Sequence, residues 1–255
     1  LTDTLGGKTV QDLSEVEHRS SFLFYGEAGI GKTFLACTSD LVPDLRRVLL
    51  IDYEGGTLSV AANFPAIKRV HVDKYEELQE IYNDLYLGKD VLNYNTIILD
   101  NLSEICQAGL ERAAKDAFDR GDKESFSEDD VTRRAYGTNL IRIRTLVRAF
   151  RALPVTTIWT AWEITKRRPN GREVVGPNFP GQLYGQIPGM VQNVGRLATT
   201  YDEEKDRYVR YLRLRETTTV IAKRRANGLP DTIDFPTMPK IWQHVLTSPP
   251  VKIEE

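Results

Sequence analysis

Gly26-Glu27-Ala28-Gly29-Ile30-Gly31-Lys32-Thr33 decides the reading of this chain. The stretch fits the phosphate-binding pattern G-x-x-x-x-G-K-[ST] at every fixed position. Glycines let successive backbone N–H groups turn inward onto phosphate oxygens. Lys32 has the reach for β- and γ-phosphates, and the Thr33 hydroxyl suits Mg²⁺. The candidate nucleotide-binding set is therefore Gly26, Glu27, Ala28, Gly29, Ile30, Gly31, Lys32, Thr33 and Phe34. A glycine-rich turn without a ligand is the plain alternative, and the flanks argue against it. Ser21-Phe22-Leu23-Phe24-Tyr25 reads as a buried strand feeding the loop, and Phe34-Leu35-Ala36-Cys37 continues as a helix.

Outward from the loop, strand and helix patterns alternate, which predicts a mostly parallel sheet flanked by helices. Further strands are expected at 47–52, 68–72, 95–100 and 155–160. Helical spacing of Leu78, Ile81, Tyr82 and Leu85 predicts a helix over 75–87, stopped by Gly88. Leu140, Ile143, Val147 and Phe150 line one face of another. Alternating segments at 194–201 and 207–215 predict an antiparallel hairpin near the C-terminus, and 217–222 an additional strand. Two stretches read as irregular: charged residues 115–132, and residues 166–189, rich in Gly, Pro, Arg and Asn. No repeat or linker divides the chain. One domain is expected over 1–255, with a lead-in at 1–19 and a tail at 245–255.

Length and composition agree with one α/β domain: 255 residues, 41% hydrophobic. No apolar run is long enough to cross a membrane. Residues 1–4 show no secretory signal, and the missing initiator Met suggests that residue 1 lies inside a longer chain. Cys37 and Cys106 are far apart and have no neighbours at zinc-ligand spacing, so a reducing, cytoplasmic setting is the default. A net charge of −2 argues against coating nucleic acid through bulk positive charge but leaves room for local basic strips.

Two acidic positions extend the phosphate chemistry. Asp100 closes the apolar strand Ile97-Ile98-Leu99, where a carboxylate can orient Mg²⁺; the other reading is a cap on a helix starting near Leu102. Glu54 follows a strand end, where ligand-facing loops emerge, and can polarise an attacking water; the other reading is a surface turn made with Gly55-Gly56.

At these residues the chain resembles RecA-type recombinases. Ile51-Asp52-Tyr53-Glu54-Gly55-Gly56 is similar to their I-D-T-E-G segment, whose Glu activates water. Ile221-Ala222-Lys223-Arg224-Arg225 is similar to the K-x-R or K-x-K segment of RecA and DnaB-type cores. The resemblance implies that Lys223 and Arg225 act as lysine and arginine fingers on a neighbouring subunit's nucleotide; by themselves they read equally as a solvated basic turn. Where such cores carry a polar sensor, usually Gln or Asn, this chain offers Thr160 and Glu163. Trp159 reads as core. The resemblance covers about residues 20–234 and is greatest to phage single-domain RecA-like nucleotide-binding proteins, some of which anneal single-stranded DNA.

That resemblance implies a RecA-like P-loop core with ATP and Mg²⁺ as cofactors. Its catalytic residues would be Glu54, Lys32, Lys223 and Arg225, and its metal site Thr33 and Asp100. It implies a homo-oligomeric ring or filament, single-stranded DNA as partner, and a single-strand-binding protein as a further one. The two irregular stretches fall where RecA-like cores carry DNA-binding loops. The second offers Lys166, Arg167, Arg168 and Arg172 for phosphates, with Phe179 and Tyr184 for bases. The first is more acidic, with Asp119, Asp122, Glu124, Glu128, Asp129 and Asp130, and is a poor DNA contact except through Arg133 and Arg134. The rival readings are a DnaB-like hexameric helicase core, a nucleotide-gated regulatory module, and, more weakly, a nucleotide kinase.

Overall fold

The computed structural model describes residues 4–5, 8–9, 19–88, 90–120 and 133–247. Eleven strands and seven α-helices lie among them. Strands β1 (Thr4–Leu5) and β2 (Lys8–Thr9) pair only with each other. The functional architecture begins at β3 (Ser21–Gly26), which feeds the phosphate loop and helix α1 (Lys32–Cys37). Then come β4 (Val48–Asp52), α2 (Leu58–Ala61), β5 (Lys68–His71), α3 (Tyr75–Leu87) and β6 (Thr96–Asp100). Helices α4 (Leu102–Asp119) and α5 (Arg133–Ala152) pack together and lead into β7 (Thr156–Arg167) and β8 (Glu173–Pro177). The chain closes with α6 (Leu183–Met190), β9 (Asn193–Asp202), β10 (Arg207–Arg213), β11 (Thr232–Asp234) and α7 (Met238–Leu246).

The main sheet runs β11-β10-β9-β3-β7-β6-β4-β5, with β8 paired to the far half of β7. Strands β9, β3, β7, β6, β4 and β5 are mutually parallel, and β10 and β11 continue antiparallel. This is the α/β fold with a C-terminal hairpin that the sequence predicts. Its central strands are apolar on both faces because helices cover both. Along β3, Phe22 and Phe24 enter one core with Leu35 of α1 and Trp242 of α7. Leu23 and Tyr25 enter the other, with Trp159, Ile105 of α4 and Phe150 of α5. One strand thus anchors both layers, and the loop at its end inherits that rigidity.

The structure corrects several expectations. Residues 166–189 are not irregular: β7 runs on to Arg167, turns, and returns as β8, and α6 follows. Residues 115–119 close α4, and residues 121–132 of the acidic stretch lie outside the described residues. Residues 217–222 contribute an isolated bridge, Val175 to Val220, and no strand. The segment 245–246 of the expected tail belongs to α7, and residues 248–255 lie outside the described residues. No described helix is long and apolar enough to cross a membrane.

Candidate functional site

The site forms where the parallel strands end, at the switch point beside β3, the usual place for ligands in such sheets. Gly31, at φ 98°, holds a conformation that side chains disfavour, and so lets the loop turn directly into α1. Lys32 is buried and folds back over the loop, its Nζ donating to the carbonyls of Glu27 (2.8 Å) and Gly26 (3.3 Å). Burial lowers its pKa, opposed by the charges of Glu54, Asp100 and Glu163.

Asp100 sits two strands away from β3, because β7 is inserted between β3 and β6. The insertion supplies a ligand. Thr160 of β7 is fully buried and its hydroxyl donates to Asp100 Oδ1. Thr33 donates to Asp100 Oδ2 at 2.6 Å. The carboxyl is 1% exposed, and burial holds its pKa above the ordinary carboxylate range against those two hydroxyl donors. Two hard oxygen groups, the Thr33 hydroxyl and the buried Asp100 carboxyl, therefore meet at one point. That fits Mg²⁺, which takes one or two carboxylates and completes its shell with water and substrate phosphates. Among the described residues no group of three or more His, Cys, Asp or Glu side chains is placed to hold a metal ion.

Glu54 is delivered to Asp100 by backbone pairing. The N–H groups of Tyr53 and Glu54 both donate to the Asp100 carbonyl, at 2.6 and 3.3 Å. Behind them, buried Asp52 organises the turn. Its Oδ1 accepts from the N–H of Gly55 (2.8 Å), which stands at φ 80°, and its Oδ2 accepts from Thr57 (3.3 Å) and Arg69 (2.8 Å). Asn101 completes the arrangement: its Nδ2 donates to Glu54 Oε2 at 2.8 Å. Its Oδ1 meanwhile caps α4 by accepting from the N–H groups of Ser103 and Glu104. The cap on α4 is thus Asn101 and not Asp100, which disposes of the capping alternative. Gly29, Gly31, Lys32, Thr33, Glu54 and Gly56 line one open pocket, joined by Arg210 of β10.

Sequence reasoning placed Lys32, Thr33, Asp100 and Glu54 together, and the structure brings them together. It missed Asp52, Asn101 and Arg210. Asn101 carried a signal, a capping residue type just before a helix. The structure also separates the two sensor candidates. Thr160 contacts Asp100, whereas Glu163 forms a two-pronged ion pair with Arg196 of β9 (2.9 and 3.1 Å), which raises the arginine's pKa.

Lys223 lies elsewhere. Its Nζ donates to the carbonyls of Pro188, Gly189 and Val191, closing the C-terminus of α6, so within one subunit it is a cap and not an outstretched finger. Arg225 is exposed, beside Asn193. Both residues pair alongside the early part of β9, whose Val194 aligns with Leu23, roughly 10 Å below the end of β3 at strand spacing. Neither faces its own phosphate loop.

The β7–β8 arm presents Arg167, Arg168 and Arg172 at an exposed turn. Lys166 Nζ lies 4.1 Å from the Tyr184 ring centroid, and the Tyr184 hydroxyl donates to Val174 O of β8. Phe179 is 1% exposed and belongs to the core. It has no face to offer a base, which corrects the expectation for that residue.

A family model described as "AAA domain" matches residues 18–226. The chain belongs to the AAA-domain family. The matched span of this AAA-domain chain holds the loop, Glu54, Asp100, the arm, Lys223 and Arg225. No curated protein matches it significantly. Among solved structures, the RadB recombinase aligns with a TM-score of 0.52 at 14% identity, over 85% of this chain and 86% of that one. The flagellar accessory protein FlaH from Methanocaldococcus jannaschii aligns at 0.49 and 13%, over 85% and 84%. The fold is RecA-like.

Proposed function

We propose that this AAA-domain protein is a Mg²⁺-dependent ATPase that binds single-stranded DNA and promotes annealing or strand pairing in phage-type recombination. It works as a homo-oligomer in the cytoplasm, as a single domain over residues 1–255. The observation that carries the reading is the convergence of Lys32, Thr33 and Glu54 on one pocket, with Asp100 hydrogen-bonded to Thr33 behind it and each of the two carboxylates oriented by a donor.

In this reading Lys32 exchanges the Glu27 and Gly26 carbonyls for phosphate oxygens. Thr33 and Asp100 would hold Mg²⁺, which would neutralise charge developing on the phosphates. Glu54, fixed through Oε2 by Asn101, keeps its other oxygen for the attacking water and takes its proton. Preorganisation of this kind is where phosphoryl-transfer catalysis draws its rate. Arg225, remote from its own loop and exposed, is placed to neutralise γ-phosphate charge on a neighbouring subunit. The arm arginines Arg167, Arg168 and Arg172 track DNA phosphates, with Lys166 and Tyr184 at their base. A RecA-like fold shared with a protein named a recombinase is in keeping with this assignment.

The test is steady-state ATP hydrolysis with and without single-stranded DNA, at low and moderate salt. The proposal expects a rise with single strands that weakens as salt increases. Turnover indifferent to DNA would remove the DNA half and favour a nucleotide-gated regulatory module. Directional strand displacement would favour a helicase core.

A further inference from the structure

We propose that the cleft beside the phosphate loop takes a purine base by stacking, without reading its edge, and that Arg210 ties base site to phosphates within the same subunit. The inference rests on the phosphate-loop reading and deepens it.

The cleft has a volume of about 430 Å³, enough for a nucleoside, and lies between α1, β10 and the chain after β11. Gly31, Phe34 and Arg210 line both this cleft and the phosphate pocket, so the two are continuous around the loop. Its walls are aromatic: Phe34, Tyr208 and Phe235 are 39, 74 and 45% exposed. Exposed rings gathered at the rim of a phosphate pocket offer planar faces to a planar ligand, with one side of Phe235 taken by the Arg207 guanidinium at 5.3 Å from the ring centroid. Tyr208 is steadied edge-on by Tyr201 at 5.2 Å, and Phe34 by Phe64 at 5.3 Å.

Phe235 stands at φ 47°, a conformation rarely tolerated by a bulky residue. Its N–H donates to the Arg210 carbonyl at 2.7 Å, and its own carbonyl accepts from Lys240. Backbone held in so uncommon a state by its surroundings points to a positional requirement for the ring. The same hydrogen bond couples Phe235 to Arg210. The Arg210 guanidinium lies against the loop: a Cβ on Gly31 would meet Nη1 at 2.8 Å. Among the described residues that guanidinium has no ion-pair partner, and an incoming phosphate would supply one.

The side chains that line the cleft include no carboxylate and no carboxamide; the hydroxyls of Thr199, Tyr208 and Thr237 provide the uncharged polar groups. A hydroxyl both donates and accepts, so none of the three distinguishes the amino edge of adenine from the carbonyl edge of guanine. Stacking tolerates either purine, because each presents a similar π-face.

The experiment is titration calorimetry of the full chain with Mg-ATP, Mg-GTP and Mg-tripolyphosphate, which carries phosphates and no base. ATP and GTP should bind within about threefold of each other, since no fixed edge contact separates them. Tyr208→Ala should weaken both nucleotides about tenfold while leaving tripolyphosphate unchanged, and Tyr208→Phe should restore them. Arg210→Ala should weaken all three ligands. The inference is overturned if Tyr208→Ala and Phe235→Ala leave nucleotide affinity intact while Lys32→Ala abolishes it, for the base then lies elsewhere. It is also overturned if one purine is favoured by more than about tenfold, which demands a specific edge contact. Tripolyphosphate binding equally to wild type and Lys32→Ala would instead defeat the phosphate-loop reading itself.

Discussion

The phosphate-loop end of the sheet and the β7–β8 arm are both rich in charge, and they handle it in opposite ways. Around the loop nearly every ionised group is committed. Asp100 is held by Thr33 and Thr160, Glu54 by Asn101, and Asp52 by Gly55, Thr57 and Arg69. On the arm, Arg167, Arg168 and Arg172 stand exposed around a tight turn, where Arg167 Nε donates to the Gly171 carbonyl at 3.3 Å. Fixed dipoles stabilise a transition state of one defined geometry. Exposed cations attract an extended polyanion of any sequence. On the proposed function, the contrast separates a chemical centre from an electrostatic landing surface, although β7 belongs to both.

The largest expected effect breaks the chemical centre outright. Lys32→Ala should remove nucleotide binding and reduce hydrolysis to background, measured by calorimetry and phosphate release, while circular dichroism remains unchanged. Next is the contribution from a second subunit. Arg225→Ala should slow turnover by about 10³-fold if it serves as a finger. Mixing it with Lys32→Ala protein should recover activity, because a hybrid interface joins an intact loop to an intact arginine. No recovery on mixing would confine the site to one chain.

The landing surface predicts a smaller and different response. Neutralising Arg167, Arg168 and Arg172 together should leave nucleotide affinity unchanged and weaken single-strand binding. The log–log salt slope should fall by about 0.7 for each DNA phosphate that the arm no longer neutralises. An unaltered slope, read by fluorescence anisotropy, would take the arm out of DNA binding. The smallest effect sharpens the centre. Asn101→Ala removes the cap on α4, costing about 1 kcal/mol in denaturant unfolding. It should also lower kcat by about tenfold through a less well-held Glu54, and Asn101→Asp should rescue the cap but not the rate.

Much of the centre was legible because its strands are uninterrupted apolar runs whose ends carry the chemistry: Phe22 to Tyr25 before the loop, Leu49 to Ile51 before Glu54, Ile97 to Leu99 before Asp100. The parallel sheet and the C-terminal hairpin followed from the same patterns. The arm was hidden. Its turn residues, Pro169, Asn170 and Gly171, gave the surrounding stretch a loop-like composition, and β8 adds only Glu173-Val174-Val175-Gly176-Pro177, too short to show alternation. Phe179 looked available for stacking because burial depends on α6, which Gly185, Pro188 and Gly189 conceal. Arg210 gave no local signal at all, because its contact with Gly31 is set by strand order and not by neighbours in sequence. Asp52 is only partly a local feature: it binds Gly55 and Thr57 of its own turn, and Arg69 across the neighbouring strand.

The central claim is that Glu54 activates water at a phosphate site built by Lys32, Thr33 and Asp100. It is tested most directly by Glu54→Gln, which keeps the shape of the side chain and an acceptor for Asn101 but removes the base. The account predicts ATP affinity close to wild type and a loss of about 10²–10⁴-fold in the single-turnover hydrolysis rate. A single-turnover rate equal to that of wild type, at equal occupancy, would contradict it.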